Sequence, residues 1–148
     1  MAQQSATAQR AETRRPLKAR DIMHGPVLAA TPRALLRDIA MELVTNHYTG
    51  MPVAAPDGRV VGVISEADLV RALREGKQLE NLTATDVMTG PPVTIDADAS
   101  FEEVMESLED YRIVRVPVTS EGKLVGIITR SDVIRAVLEP EFIAFGKP

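Results

Sequence analysis

The sequence predicts an α+β fold: two β-α-β-β-α repeats packed against each other as a pseudo-twofold pair. Three observations lead there. A strand-then-helix line is written twice, each copy follows two apolar runs joined through a glycine, and each repeat opens on the same short motif.

Each repeat begins with Ala-x-Asp-[Ile/Val]-Met-x-Gly-Pro and a short strand, in residues 19–30 and again in 84–96. A helix follows. In the first copy Leu35, Leu36, Ile39, Ala40, Leu43, Val44 and His47 recur at helical spacing, which places His47 packed or at a rim. In the second copy Phe101, Val104, Met105, Leu108 and Tyr111 do the same. Ser100 with Glu103 has the pattern of a capping box. The first copy has Ala34 at the matching place, so its helix is expected to start at Thr31-Pro32, with proline as the first helical residue. Two apolar strands come next, in 51–64 and 116–128, joined by turns with Gly58 and Gly122, where glycine adopts positive φ at little cost.

The second of these strands runs into the closing helix. Val60–Leu73 aligns without gaps with Leu124–Val137, with identities at Val61/Val125, Gly62/Gly126, Ile64/Ile128, Asp68/Asp132, Arg71/Arg135 and Ala72/Ala136. Only Glu66/Arg130 changes character. A unit of about 55 residues is small for independent stability, so the two copies are expected to share a core. The expected organisation is a flexible basic tail (1–17), repeat 1 (18–76), a short polar linker (77–83), repeat 2 (84–139) and a C-terminal tail (140–148). Phe142, Ile143 and Phe145 are expected to cover a groove of the pair or a partner subunit.

Composition narrows the function. With three Phe, two Tyr and no Trp, the chain lacks the stacking surface used by single-strand nucleic-acid binders. Zero cysteines remove disulfides, Cys-ligated zinc and thiol nucleophiles together. No apolar run reaches the roughly 18–20 residues of a membrane span, and the N-terminus has no apolar signal-peptide core, so a cytoplasmic location is expected. Arg10, Arg14, Arg15, Lys18 and Arg20 stand against Glu12 in the first twenty residues, leaving the remainder more acidic than the net charge of −4. An acidic folded part argues against nucleic acid as the main partner.

Catalysis lacks parts. His24 and His47 are the only histidines, and no G-x-S-x-G, H-E-x-x-H, Walker A or Gly-rich dinucleotide loop is present, so no enzyme is expected.

With these motifs, the chain resembles a tandem CBS-domain pair, or Bateman module, over about residues 18–138. The resemblance rests on the Asp-[Ile/Val]-Met start, the [Met/Val]-Pro-Val strand, the Gly-hydrophobic-Ile-[Ser/Thr]-x-x-Asp line and the duplication. It implies a stand-alone, non-catalytic regulatory protein with two clefts for adenosine-containing ligands: AMP, ADP, ATP, S-adenosylmethionine or NAD(H). It requires no cofactor. It also implies a homodimer and a separate regulated protein. By the same resemblance Thr129 and Ser65 would meet phosphate, while Asp132 and Asp68 would accept hydrogen bonds from a ribose. The Asp132 cleft would add Val27, Thr49, Gly50, Met51 and Pro52. The Asp68 cleft would add Val93, Val114, Arg115, Val116 and Pro117.

Read from the residues alone, a hydroxyl followed three positions later by an acid is equally a helix cap. A structural dimer of the same fold with non-binding clefts therefore stands as the alternative. Gly50 could admit a ligand or simply make a turn. Arg130, a cation where repeat 1 has Glu66, leads to the expectation that the Asp132 cleft takes phosphate better. Arg112 and Arg115 could face the phosphate ends.

Overall fold

A computed structural model describes residues 16–25, 27–110 and 114–144, with side chains to residue 138. Arg112, Tyr111, Phe145 and the side chains of Phe142 and Ile143 lie outside the described residues, as do residues 1–15.

Repeat 1 contributes α1 (Ala19–Ile22), α2 (Leu36–Asn46), β1 (Gly50–Ala54), β2 (Val60–Ser65) and α3 (Glu66–Arg74). Repeat 2 contributes α4 (Ala84–Val87), β3 (Ile95–Asp96), α5 (Phe101–Asp110), β4 (Arg115–Ser120), β5 (Lys123–Thr129) and α6 (Arg130–Ala144). β1 and β2 pair antiparallel with Gly50 opposite Ser65; β4 and β5 pair antiparallel with Arg115 opposite Thr129. The hairpins are thus in equivalent register, and each carries an irregularity at the equivalent place, Val53/Ala54 and Val118/Thr119. Gly58 and Gly122 hold positive φ at the tips (94° and 80°), as a tight reversal requires. The tips meet: Leu124 N donates to Gly58 O at 2.9 Å.

The first strand of each repeat is the weakest. In repeat 2 it is β3, parallel to β4; in repeat 1 it shrinks to a single parallel bridge from Ala30 to Val53. Pro32 sits in a turn closed by Ala34 N to Thr31 O, and α2 starts only at Leu36, against the expected proline start. Leu36 N is instead satisfied by Leu82 O, a partner from outside the repeat. His47 also departs from expectation. It closes α2 in the left-handed region (φ 57°) and is exposed, so the apolar stripe ends one turn earlier. Ser100 does cap α5, accepting from Glu103 N at 3.1 Å.

The short helices α1 and α4, absent from the expected element order, are exchanged between the repeats. Ala19 is fully buried in the core of repeat 2 with Ile95, Val104, Leu108, Val116, Val118 and Ile128. Ala84 is fully buried in the core of repeat 1 with Leu36, Ile39, Leu43, Val53 and Ile64. Backbone bonds fix the exchange: Ala19 N to Ala99 O and Ala84 N to Ala34 O, both 2.9 Å. The connection between the repeats is more than a polar link, because Leu79 and Leu82 pack on the core of repeat 1.

The methionine of each exchanged segment lies over the glycine of the opposite β-strand. A Cβ on Gly62 would come within 2.7 Å of Met88 Sδ, and one on Gly126 would overlap Met23 Sδ. The glycines of the repeated line are therefore sockets for the exchanged methionines.

Candidate functional site

Two clefts follow from the exchange. The Asp68 side combines the helix start of repeat 1 with the opening segment and hairpin of repeat 2. On the Asp132 side the opening segment and hairpin of repeat 1 meet Arg115 and Ile127. Thr129 and Asp132 stay out of that cavity wall, Asp132 being bonded to His24, which lines it. Ser65 caps α3 and Thr129 stands before α6; both strands end in extended backbone that delivers the hydroxyl to the first helical turn. Asp68 and Asp132 follow one turn later and are each 5% exposed.

Buried carboxylates need partners. Asp68 Oδ2 accepts from Ser65 N (2.8 Å) and Ser65 Oγ (3.1 Å), and its Oδ1 accepts from Arg71 Nη1 (3.2 Å) and Thr89 Oγ1 (3.3 Å). Asp132 Oδ2 accepts from Thr129 N (2.7 Å) and Thr129 Oγ1 (3.0 Å), and its Oδ1 from Arg135 Nη1 (3.1 Å). His24 Nδ1 lies 2.9 Å from Asp132 Oδ2; since a carboxylate only accepts, the ring nitrogen donates. His24 and Thr89 hold the same place in the two opening motifs, and each reaches the aspartate of the other repeat. Both aspartates thus cap their own helix and anchor the exchanged segment. Both oxygens of Asp68 already accept two bonds each, so a further donor there must displace one of these; Asp132 Oδ1, which accepts from Arg135 among the described residues, keeps room for another.

The cavities beside them are unequal. On the Asp68 side a cavity of about 260 Å³ is walled by Val63, Ser65, Asp68, Thr89, Pro91–Val93, Arg115 and Pro117. On the Asp132 side a cavity of about 70 Å³ is walled by His24, Val27, Leu28, Tyr48, Gly50–Pro52, Arg115 and Ile127. Small-molecule sites usually span about 300–1,000 Å³.

Of the residues singled out in the sequence, Val27, Gly50, Met51 and Pro52 gather on the Asp132 side, and Ser65, Asp68, Val93, Arg115 and Pro117 on the Asp68 side. Thr49 lines neither cavity; its carbonyl accepts from Glu66 N at the start of α3. Val116 points the other way into the core, fully buried, and Val114 is exposed. Arg130 stands elsewhere: with Met105, Leu108, Glu109, Val133 and Ile134 it lines a groove of about 460 Å³ between α5 and α6. The expected phosphate preference of the Asp132 cleft rested on Arg130, and in this position Arg130 does not supply it. A Cβ at Gly50 would come within 2.8 Å of Ile64 O, so the close approach of β2 accounts for this glycine.

Sequence reasoning did not place His24, Thr89, Leu28, Tyr48 or Pro91–Pro92 in the clefts. The available signal was the duplicated opening motif, which marks His24 and Thr89 as equivalent but does not reveal that they cross to the other repeat.

The CBS domain family model matches this chain twice, over residues 19–75 and 84–139. Hypoxic response protein 1 of Mycobacterium tuberculosis is 31% identical over 130 residues, covering 87% of this chain and 91% of that protein. Its crystal structure with two coordinated zinc ions has a TM-score of 0.74 at 30% identity, covering 80% of this chain and 98% of that one. Among the described residues here, no three His, Asp or Glu side chains gather as metal ligands. A CBS domain protein from Pyrobaculum aerophilum complexed with AMP has a TM-score of 0.73 at 26% identity, covering 84% of this chain and 97% of that one. A CBS domain pair in complex with 5′-methylthioadenosine and S-adenosyl-L-methionine matches at 0.73 and 25% identity, covering 85% and 99%.

Proposed function

The chain belongs to the CBS domain family, and we propose that it is a non-catalytic regulatory module that senses an adenosine-containing ligand and modulates a partner protein. AMP, ADP, ATP, S-adenosylmethionine and NAD(H) share the chemistry that these clefts offer. The observation that carries the proposal is the pair of buried carboxylates at helix starts: Asp68 lines a cavity walled by both repeats, and Asp132 is bonded to His24, which lines the other. An aspartate in that place can accept from ribose hydroxyls, the helix start offers partial positive charge to phosphate, and Pro and Val side chains can hold a base. Related CBS structures with AMP, and with S-adenosylmethionine and 5′-methylthioadenosine, support the ligand class.

Because each cleft is built from both repeats, a ligand there changes how they sit together. It regulates only if it binds two arrangements with different affinity. The output surface is helical. Met41, Val44, Val70, Leu73, Ile134 and Val137 are each more than half exposed on α2, α3 and α6. Apolar helix faces of this extent favour a second copy of the chain, which makes the proposed unit a homodimer. No described helix is long and apolar enough to cross a membrane.

A second reading is favoured by the filled hydrogen bonding of Asp68 and the small cavity on the Asp132 side: a structural dimer whose clefts bind nothing. Calorimetry decides between the two. AMP, ADP, ATP, S-adenosylmethionine and NADH are titrated into wild type, Asp68→Asn and Asp132→Asn. Saturable binding that weakens in a variant supports the sensor. No heat and no thermal stabilisation with any of the five leaves the structural dimer.

A further inference from the structure

We propose that Arg115 couples the two clefts: a phosphate-bearing ligand in the Asp68 cleft draws its guanidinium out of the Asp132 cleft and so opens the second site. The inference rests on the nucleotide-sensing proposal above.

Equivalent register fixes where Arg115 belongs. It stands opposite Thr129 in β4/β5 as Gly50 stands opposite Ser65 in β1/β2. Gly50 belongs to the Asp132 cleft, so by the pseudo-twofold the backbone of Arg115 belongs to the Asp68 cleft. Its side chain does not stay there. Nη1 donates to Gly50 O at 3.0 Å, and the guanidinium carbon lies 5.5 Å from the centre of the Tyr48 ring. Gly50 and Tyr48 both wall the Asp132 cavity, and Arg115 lines both cavities.

The reciprocal reach is impossible, because the equivalent position in repeat 1 is glycine. This one-sided crossing accounts for the inequality of the cavities, about 70 Å³ against about 260 Å³. A ligand of nucleoside size has no room on the Asp132 side while Arg115 rests there.

The resting place holds the cation loosely. Nε of Arg115 is buried and has no acceptor among the described residues. A buried donor without a partner is costly, and a phosphate offers charge-assisted bonds in place of one neutral carbonyl. Anionic ligand on the Asp68 side therefore pulls Arg115 toward its own backbone position. A ligand on the Asp132 side pushes it the same way. Both events favour one position of one side chain, so each promotes the other, and the coupling is reciprocal.

Calorimetric titrations with AMP and with adenosine, which lacks the phosphate, test this in wild type, Arg115→Ala and Arg115→Gln. Wild type is expected to take two AMP per chain with a sigmoidal isotherm, and adenosine at the Asp68 cleft only. Arg115→Ala unblocks the Asp132 cleft, so adenosine fills two independent sites, while AMP affinity on the Asp68 side falls about tenfold or more. Arg115→Gln keeps the bulk without the charge, leaving one AMP per chain; it also serves if the alanine variant does not fold. Identical stoichiometry and isotherm shape in wild type and both variants would overturn the coupling while leaving the sensor intact. Absence of AMP binding in wild type and both variants would overturn both.

Discussion

Replacing Gly126 with alanine tests the exchanged packing directly. The backbone of Gly126 is ordinary extended strand, so alanine costs nothing in φ and gains about 0.4–1 kcal/mol by restricting the unfolded chain. Sterics oppose this. The new Cβ would lie 2.9 Å from Met23 Cγ and 3.0 Å from Met23 Cβ, besides overlapping the sulfur. Swinging the thioether away cannot relieve the Cβ contact, so the segment itself must move. That movement strains the paired bonds His24 N to Ile127 O and Ile127 N to His24 O, both 3.0 Å. Overpacking costs about 1–3 kcal/mol and weakened hydrogen bonding about 1 kcal/mol, leaving a net loss of about 2 kcal/mol. Urea unfolding reads this as a midpoint lower by about 1 M. Gly62→Ala is expected to lose less, about 1 kcal/mol, because Met88 Sδ and Cγ can swing and Thr89 O, at 3.2 Å, needs only a small shift. Met23→Ala should partly suppress Gly126→Ala, with a coupling of about 1 kcal/mol in a double-mutant cycle. Wild-type stability in Gly126→Ala, or simple additivity with Met23→Ala, would refute the socket.

Asp132→Ala, without ligand, is expected to lose about 2–3 kcal/mol in chemical unfolding, since Thr129 N and His24 lose a buried acceptor; Asp132→Asn should lose less. Ser100→Ala removes the cap on Glu103 N and should cost about 1 kcal/mol by the same assay. The exposed Arg20–Asp98 pair ties α1 to the turn before α5. The hydrogen bond and then the charge of Arg20 hold the Asp98 carboxyl below the usual carboxylate range, while Asp98 raises Arg20. Its contribution is present above the ordinary aspartate range and is lost as pH falls through the lowered value, so Arg20→Ala should weaken the acid-side fall of stability in a pH series. Val44→Asp together with Ile134→Asp should convert a dimer to monomer in light scattering; an unchanged mass would remove those faces from the interface.

The sequence alone determined the class and the repeat. Strand and helix periods, hairpin glycines, the Ser100 cap and the two hydroxyl-x-x-Asp lines are local, and local sterics and hydrogen bonding govern them. The tertiary structure decided what those lines face. Burial of Ala19 and Ala84 depends on the opposite core, so the exchange of α1 and α4 cannot be read from either segment. His24 and Thr89 reach aspartates far along the chain for the same reason. Arg130 sat beside Thr129 in sequence, yet the turn into α6 sends it to another groove. Arg115 reaches across to Gly50 O and the Tyr48 ring, contacts that its place in the repeat does not announce. Pattern fixes which face of an element is apolar. Which neighbour fills that face, and which cavity remains, depends on the volumes of side chains brought together from both repeats.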